Sequence, residues 1–278
     1  MSNTTKTFML MTFLALLFVW LGGMLGGTQG AVIGFVIATA MNFYGYWFSD
    51  KLVLKQYRAQ EVGPDNNPRL YNIVTKLAQK AELPMPKVYV IPDKSPNAFA
   101  TGRNPEHAAV AATEGILNLL NDDELEGVMA HEVTHVKNRD ILTGTIAATF
   151  AGAIAMVSQF ARFGSGGSRG RQNPLAILLL IGAPLAAMLI RSMISRVREY
   201  SADDGGAAIS GKPLGLANAL NKLRQGAKRH PMQRGNAAHS HMFIVNPFFG
   251  GIQKLFATHP PIDERIERLQ AMAQSHIE

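Results

Sequence analysis

From position 7 through position 49 the chain carries no charged side chain, an unbroken run of 43 residues. About 20 apolar residues cross a hydrocarbon core as a helix, so this run is long enough for two crossings. A cleaved secretory signal has a shorter apolar core, and it would leave the second half of the run unexplained. The pattern predicts a helical hairpin over about residues 8–24 and 31–48, turning at "GGTQG". The chain has 278 residues, which leaves room for a domain of ordinary size beside the hairpin.

Residues 51–140 read as soluble. "NPRLYNIVTKLAQKAELP" places Leu70, Ile73, Val74 and Leu77 at helical spacing, and Pro84 ends the pattern. "KVYVIPD" reads as a strand, and "NAFATGRNPEHAAVAAT" as two more joined across a turn at 102–107, together a small antiparallel sheet. At Asn121 the signals turn helical: Asn121 can cap, while Asp122, Asp123 and Glu124 suit the positive end of a helix dipole. Residues 141–161 and 172–190 are again uncharged, with "RFGSGGSRGR" between them, and read as a second hydrophobic hairpin. Its linker arginines oppose the positive-inside tendency, which leaves both a full crossing and a shallow dip open. Helices return at "KPLGLANALNKLRQGAKR" and "HPPIDERIERLQAMA". The expectation is a mainly α fold with a small antiparallel β-sheet (α+β), in four segments: hairpin 1–50, soluble part 51–140, second hairpin 141–190 and soluble part 191–278.

A formal charge of +7 raises nucleic acid as a partner. The basic residues instead gather where apolar runs end, at Lys6, at Lys51, Lys55 and Arg58, and at Arg191, Arg196 and Arg198, as expected for helix ends beside a bilayer. The chain has no cysteine, so any zinc must be held by histidine and carboxylate.

"MAHEVTHVKNRD" supplies the histidines. Positions i and i+4 share a helix face, so His131 and His135 can turn ring nitrogens toward one ion. Glu132, about 100° round the axis, stays off the ion and can reach a water on it, as a general base must. A catalytic zinc has three protein ligands and an open position. No histidine follows His135 at close spacing, and the third ligand is expected from "REYSADD", where Glu199 and Asp203 stand four apart on a helix. A hairpin leaving at 141 and returning at 190 brings Glu199 back to the histidines. Asp203 would then accept a hydrogen bond from a ligand histidine. Taken alone, Glu199 also reads as a surface partner of Arg196 or Arg198.

These residues resemble the HtpX-type membrane zinc endopeptidases, relatives of the CAAX prenyl proteases. The likeness runs through the paired amino-terminal apolar helices, "NAFATGRNPEHAAVA", "DDELEGVMAHEVTHVKNRD", "REYSAD" and "THPPIDERIERL". It implies a gluzincin-like protease domain binding one Zn2+ per chain through His131, His135 and Glu199, with Glu132 in catalysis and Asp203 in support. It also implies a multi-pass protein of the bacterial inner membrane whose protease domain faces the cytoplasm, cuts misfolded or damaged membrane proteins and is prone to self-cleavage. Asn97, Ala98, Phe99 and Ala100 match the family's substrate-pairing edge strand; the same residues also read as an ordinary strand with Phe99 in the core.

Two rivals stand beside hydrolysis. A membrane metal carrier would put polar ligands inside its spans, and both apolar pairs lack an ionisable group. A structural zinc site would be closed by a fourth ligand, and His107, His230, His239, His241 and His276 all read as loop or terminal residues. Neither the oxyanion donor, for which His259 and Arg198 are possible, nor the oligomeric state is legible.

Overall fold

The computed structural model describes residues 3–142, 144, 146, 196–229, 243, 244 and 260–275. The first apolar run lies in α1, Asn3–Gln56, which is two helical limbs joined at a break. The break falls at Gly26 (φ −146°, ψ 23°) and Gly27 (φ 59°, ψ −144°), the second of these a backbone state essentially reserved for glycine. The limbs then run back along each other in close contact. A Cβ at Gly22 would lie 2.1 Å from the Gly30 carbonyl oxygen, so only glycine permits that approach. Further along, Asn42 Nδ2 donates to the Met11 carbonyl at 3.1 Å, which completes an antiparallel hairpin. Its two apolar stretches, Thr7–Met24 and Gly26–Phe48, are each long enough to cross a membrane. Phe8, Leu16, Trp20, Val32, Phe35 and Phe43 are exposed on it, as lipid-facing side chains would be.

The chain continues through β1 (Gln60–Val62), α2 (Pro68–Lys80), β2 (Lys87–Ile91), β3 (Ala98–Gly102) and β4 (Ala108–Thr113). The strands form one sheet in the order β1-β2-β4-β3. This corrects the expected antiparallel arrangement: β1–β2 and β3–β4 are antiparallel, but β2 and β4 run parallel. The cause is topological. The hairpin after β3 folds β4 back between β2 and β3, which gives β4 the direction of β2 and leaves β3 at the sheet edge. β1, three residues long, gave no signal in the sequence.

After α3 (Glu114–Leu119) comes α4, Asp122–Lys137, which packs against α2, β3 and two later helices, α5 (Arg196–Ser210) and α6 (Pro213–Arg229). It starts at a capping box: Asn121 Oδ1 accepts from Glu124 N–H and Glu124 Oε2 accepts from Asn121 N–H, both at 2.9 Å. Its buried Leu125, Val128, Met129, Val133 and Val136 belong to the main core. Glu126 is buried as well, between Lys76 and Lys212 at 2.8 Å each. Burial pushes its carboxyl up, but the two ammonium groups outweigh burial and hold it below the usual carboxylate range. The last helix, α7 (Ile262–Ser275), packs on α6 and α5.

Two smaller clusters join the hairpin, one to the sheet and one to the segment after α4. Tyr57 packs edge-on against Phe243 and tilted against Phe99 of β3, with ring centroids 5.3 and 5.9 Å away. Leu142 and Ile146, just beyond α4, pack with Leu14 and with Leu10, Met11, Phe18, Met41 and Tyr46 of the hairpin. Apart from residues 141, 142, 144 and 146, the expected second hairpin at 141–190 lies outside the described residues.

Candidate metal centre

His131 and His135 lie one turn apart on α4, which ends at Lys137 because Arg139 turns to φ 58° and the Arg139 and Asp140 N–H groups donate back to the Val136 and His135 carbonyls. α5 lies against α4 so closely that a Cβ at Gly206 would sit 2.9 Å from the His131 backbone nitrogen. The "GG" of "SADDGGAA" therefore lets the first turn of α5 deliver Glu199 over the two imidazoles. One donor atom from each of His131, His135 and Glu199 fits within a 4.8 Å circle of neighbours, and these residues could hold a metal ion.

The donor spacing bears this out. His131 Nε2 and His135 Nε2 are 3.1 Å apart. Glu199 Oε2 is 3.9 Å from His131 Nε2, and Glu199 Oε1 is 3.7 Å from His135 Nε2. A tetrahedral ion with bonds of about 2.0–2.1 Å separates its donors by roughly 3.3–3.4 Å, a little wider than the histidine pair and about half an ångström short of the wider carboxylate spacing.

Each histidine is held from behind. His131 Nδ1 lies 2.9 Å from Asp203 Oδ1, so Nδ1–H donates there and Nε2 presents a lone pair to the centre. Burial drives His131 down, against the raising influence of Asp203, and keeps the ring neutral. His135 Nδ1 lies 3.2 Å from Asp140 Oδ2. Burial pushes His135 down, but Asp140, Glu199 and Glu132 outweigh it and draw the imidazole up to about 9. Loading a metal therefore displaces a proton from this ring.

Arg265 completes the rear wall. It is 0 % exposed, and its Nε and Nη2 donate to Asp203 Oδ2 and Oδ1 at 2.8 and 2.7 Å. Its Nη1 donates to the Ile244 carbonyl at 3.3 Å and lies 3.7 Å from Glu199 Oε2. Burial penalises the Asp203 charge, yet Arg265 and His131 more than offset it and hold that carboxyl below its ordinary range. Arg265 and Asp140 were not singled out in the sequence.

Glu132 points to the sheet side of α4 and is 2 % exposed. Burial pushes its carboxyl up to about 7, opposed by His135, aided by Glu199, and opposed again by the Ala100 N–H that it accepts and by Arg265. Ala100 belongs to β3, so the edge strand runs beside this carboxyl. Thr113 N–H donates to the Asn97 carbonyl, which by alternation turns the N–H and C=O of Ala98, Ala100 and Gly102 to the outer edge. Asn97 precedes β3, and Asn97 and Phe99 are fully buried, Phe99 in the aromatic cluster. His107 is exposed and bonded to Asn104, away from the centre; His230, His239, His241, His259 and His276 lie outside the described residues. Arg198 is half-buried beside Asp140 and Glu199, and burial lowers its pKa.

Residues 64–273 match the model of peptidase family M48. A protease HtpX homolog of Syntrophotalea carbinolica is 56% identical over 97% of this chain and 99% of its own length. Another from Campylobacter curvus is 55% identical over 95% and 96%, and one from Methylibium petroleiphilum is 54% identical over the whole of both chains. Among solved structures, S. mikatae Ste24p superposes with a TM-score of 0.53 at 17% identity, over 96% of this chain. This chain spans 64% of that longer protein, and the likeness is one of fold.

Proposed function

We propose that this chain, which belongs to peptidase family M48 and is a metalloprotease, is a membrane-integrated zinc endopeptidase with His131, His135 and Glu199 as the metal ligands. The observation that carries the reading is the three-donor cluster on α4 and α5 with a buried carboxyl, Glu132, between it and the edge of β3. Three protein donors leave the open position a catalytic zinc needs, and nitrogen with oxygen is a donor set zinc accepts. When bound, zinc supplies a Lewis acid that polarises the scissile carbonyl and acidifies water.

The chain's own residues do the rest. Glu132, with proton affinity near neutrality, takes the proton from the attacking water and returns it to the leaving amine. Asp203, gripped by Arg265, fixes the His131 tautomer, and Asp140 does the same for His135. Substrate lies extended beside β3 and pairs through the main chain from Ala100 toward Gly102, while the Ala98 carbonyl is taken by Ile244 N–H; Asn97 and Phe99 hold the strand in place from inside. Backbone pairing makes specificity broad, which suits polypeptides in general and misfolded or damaged membrane proteins in particular. The apolar hairpin and the HtpX relatives support a multi-pass place in the bacterial inner membrane, with the protease domain in the cytoplasm.

The test is Glu132→Gln in the full chain, loaded with zinc in detergent and given an unfolded protein. Zinc content is expected to equal that of the parent while cleavage falls by at least about 100-fold, the scale of general-base catalysis. Equal cleavage by both would remove Glu132 from the mechanism.

A further inference from the structure

Strand β3 packs against the outer end of the hairpin. Its Gly102 end leads to Arg103, whose guanidinium lies 4.6 Å from the centre of the Trp47 ring, inside the apolar stretch that ends at Phe48. Higher up, Phe99 packs against Tyr57, ring centroids 5.9 Å apart. Trp47 to Tyr57 is about 15 Å along a helix, and Arg103 to Phe99 is about 13 Å along a strand. The two lengths agree, so β3 runs back along the outer end of the second limb of α1, toward the bilayer.

A separate contact brings the segment after the histidine helix onto the hairpin. Asp140, which accepts from His135, lies two residues before Leu142, which packs with Leu14 in a cluster flanked by Leu10, Met11, Phe18, Met41 and Tyr46 of the hairpin. The far end of β3 is already engaged, because Ile244 N–H donates to the Ala98 carbonyl at 3.3 Å. The edge on the bilayer side therefore extends from Ala100, where Glu132 sits, to Gly102. Arg103 lies three residue steps beyond Ala100, about 10 Å along an extended chain.

We propose that this geometry makes β3 a ruler: the enzyme cuts juxtamembrane segments, at a bond roughly three extended residues beyond the end of a substrate's own transmembrane span. The proposal rests on the hydrolytic reading and adds to it a substrate class and a distance. A segment held in the bilayer beside Trp47 meets the strand at Gly102, pairs along it, and reaches Glu132 after that short climb. A bond far out on a tail must loop back to reach the same place, and a soluble chain gains nothing from anchoring.

The experiment uses the full chain with zinc in liposomes. The substrate carries one apolar span followed by an unstructured tail of identical copies of one cleavable sequence, and the same tail without a span is the control. Cut positions are read by mass spectrometry over time. The anchored tail is expected to be cut in its membrane-proximal copy about tenfold faster than in distal copies, the scale of an effective-concentration advantage. The free tail is expected to be cut evenly. Equal rates along the anchored tail, with the free tail cut by the parent and spared by Glu132→Gln, would overturn the ruler and leave the hydrolase standing. No zinc-dependent cut in either tail would overturn both.

Discussion

Arg265 shows how one side chain can hold a site together from behind. A guanidinium with no exposed surface forks onto Asp203, which in turn orients His131. Replacing it with methionine would leave the Asp203 charge buried without its partner, at a cost of about 3–5 kcal/mol. Arg265→Met is therefore expected to unfold at a markedly lower temperature than the parent in calorimetry. Arg265→Lys keeps the charge but not the fork, and should recover much of the stability while zinc affinity, measured by chelator competition, stays about 10–100-fold weaker. Equal stability in all three chains would mean that the fork is incidental. Glu199 and Asp203 were readable from their spacing because both lie on one face of a helix. Arg265 left a fainter trace: it occupies the apolar stripe of α7 with Ile262, Ile266 and Leu269, and a charge on such a stripe needs a buried partner. Nothing in the sequence could name that partner, since Asp203 and Arg265 meet only through the packing of α5 on α7.

At the scale of elements, the centre depends on how closely α5 approaches α4. Gly206 sets that distance, and Gly206→Ala puts a methyl 2.9 Å from the His131 backbone nitrogen. Backbone cannot swing aside, so α5 must retreat by a few tenths of an ångström, enough to spoil donor spacing in a preorganised site. Gly206→Ala is expected to fold, with helical circular dichroism near that of the parent, and to bind zinc about tenfold or more weakly by chelator competition. Zinc affinity equal to the parent's would show that the site tolerates the shift. The long elements, α2, α4 and the limbs of α1, were legible because their period or apolar length is sustained over many residues. β1 and α3 are only 3 and 6 residues long, too short to impose a pattern. The parallel pairing of β2 with β4 was illegible for a different reason: strand direction follows from which strand lies between which, and that is decided by tertiary packing.

For the whole molecule, apolar hairpin and soluble sheet are one construction. Tyr57 and Leu142 tie the hairpin to both walls of the centre, the edge strand on one side and the histidine helix on the other. The sequence made the hairpin evident and the reason for its attachment obscure, because Trp47, Tyr57, Phe99 and Arg103 acquire meaning only when a helix and a strand are seen side by side. The central claim is that side chains from α4 and α5 share one zinc. Its most direct test is metal analysis with zinc X-ray absorption on the parent and on Glu199→Ala. The parent is expected to hold about one zinc per chain in a shell of imidazole nitrogen and carboxylate or water oxygen at about 2.0–2.1 Å. Glu199→Ala should bind zinc at least about 100-fold more weakly, having lost a ligand that the metal itself touches. An unchanged shell and unchanged affinity in Glu199→Ala would contradict the account.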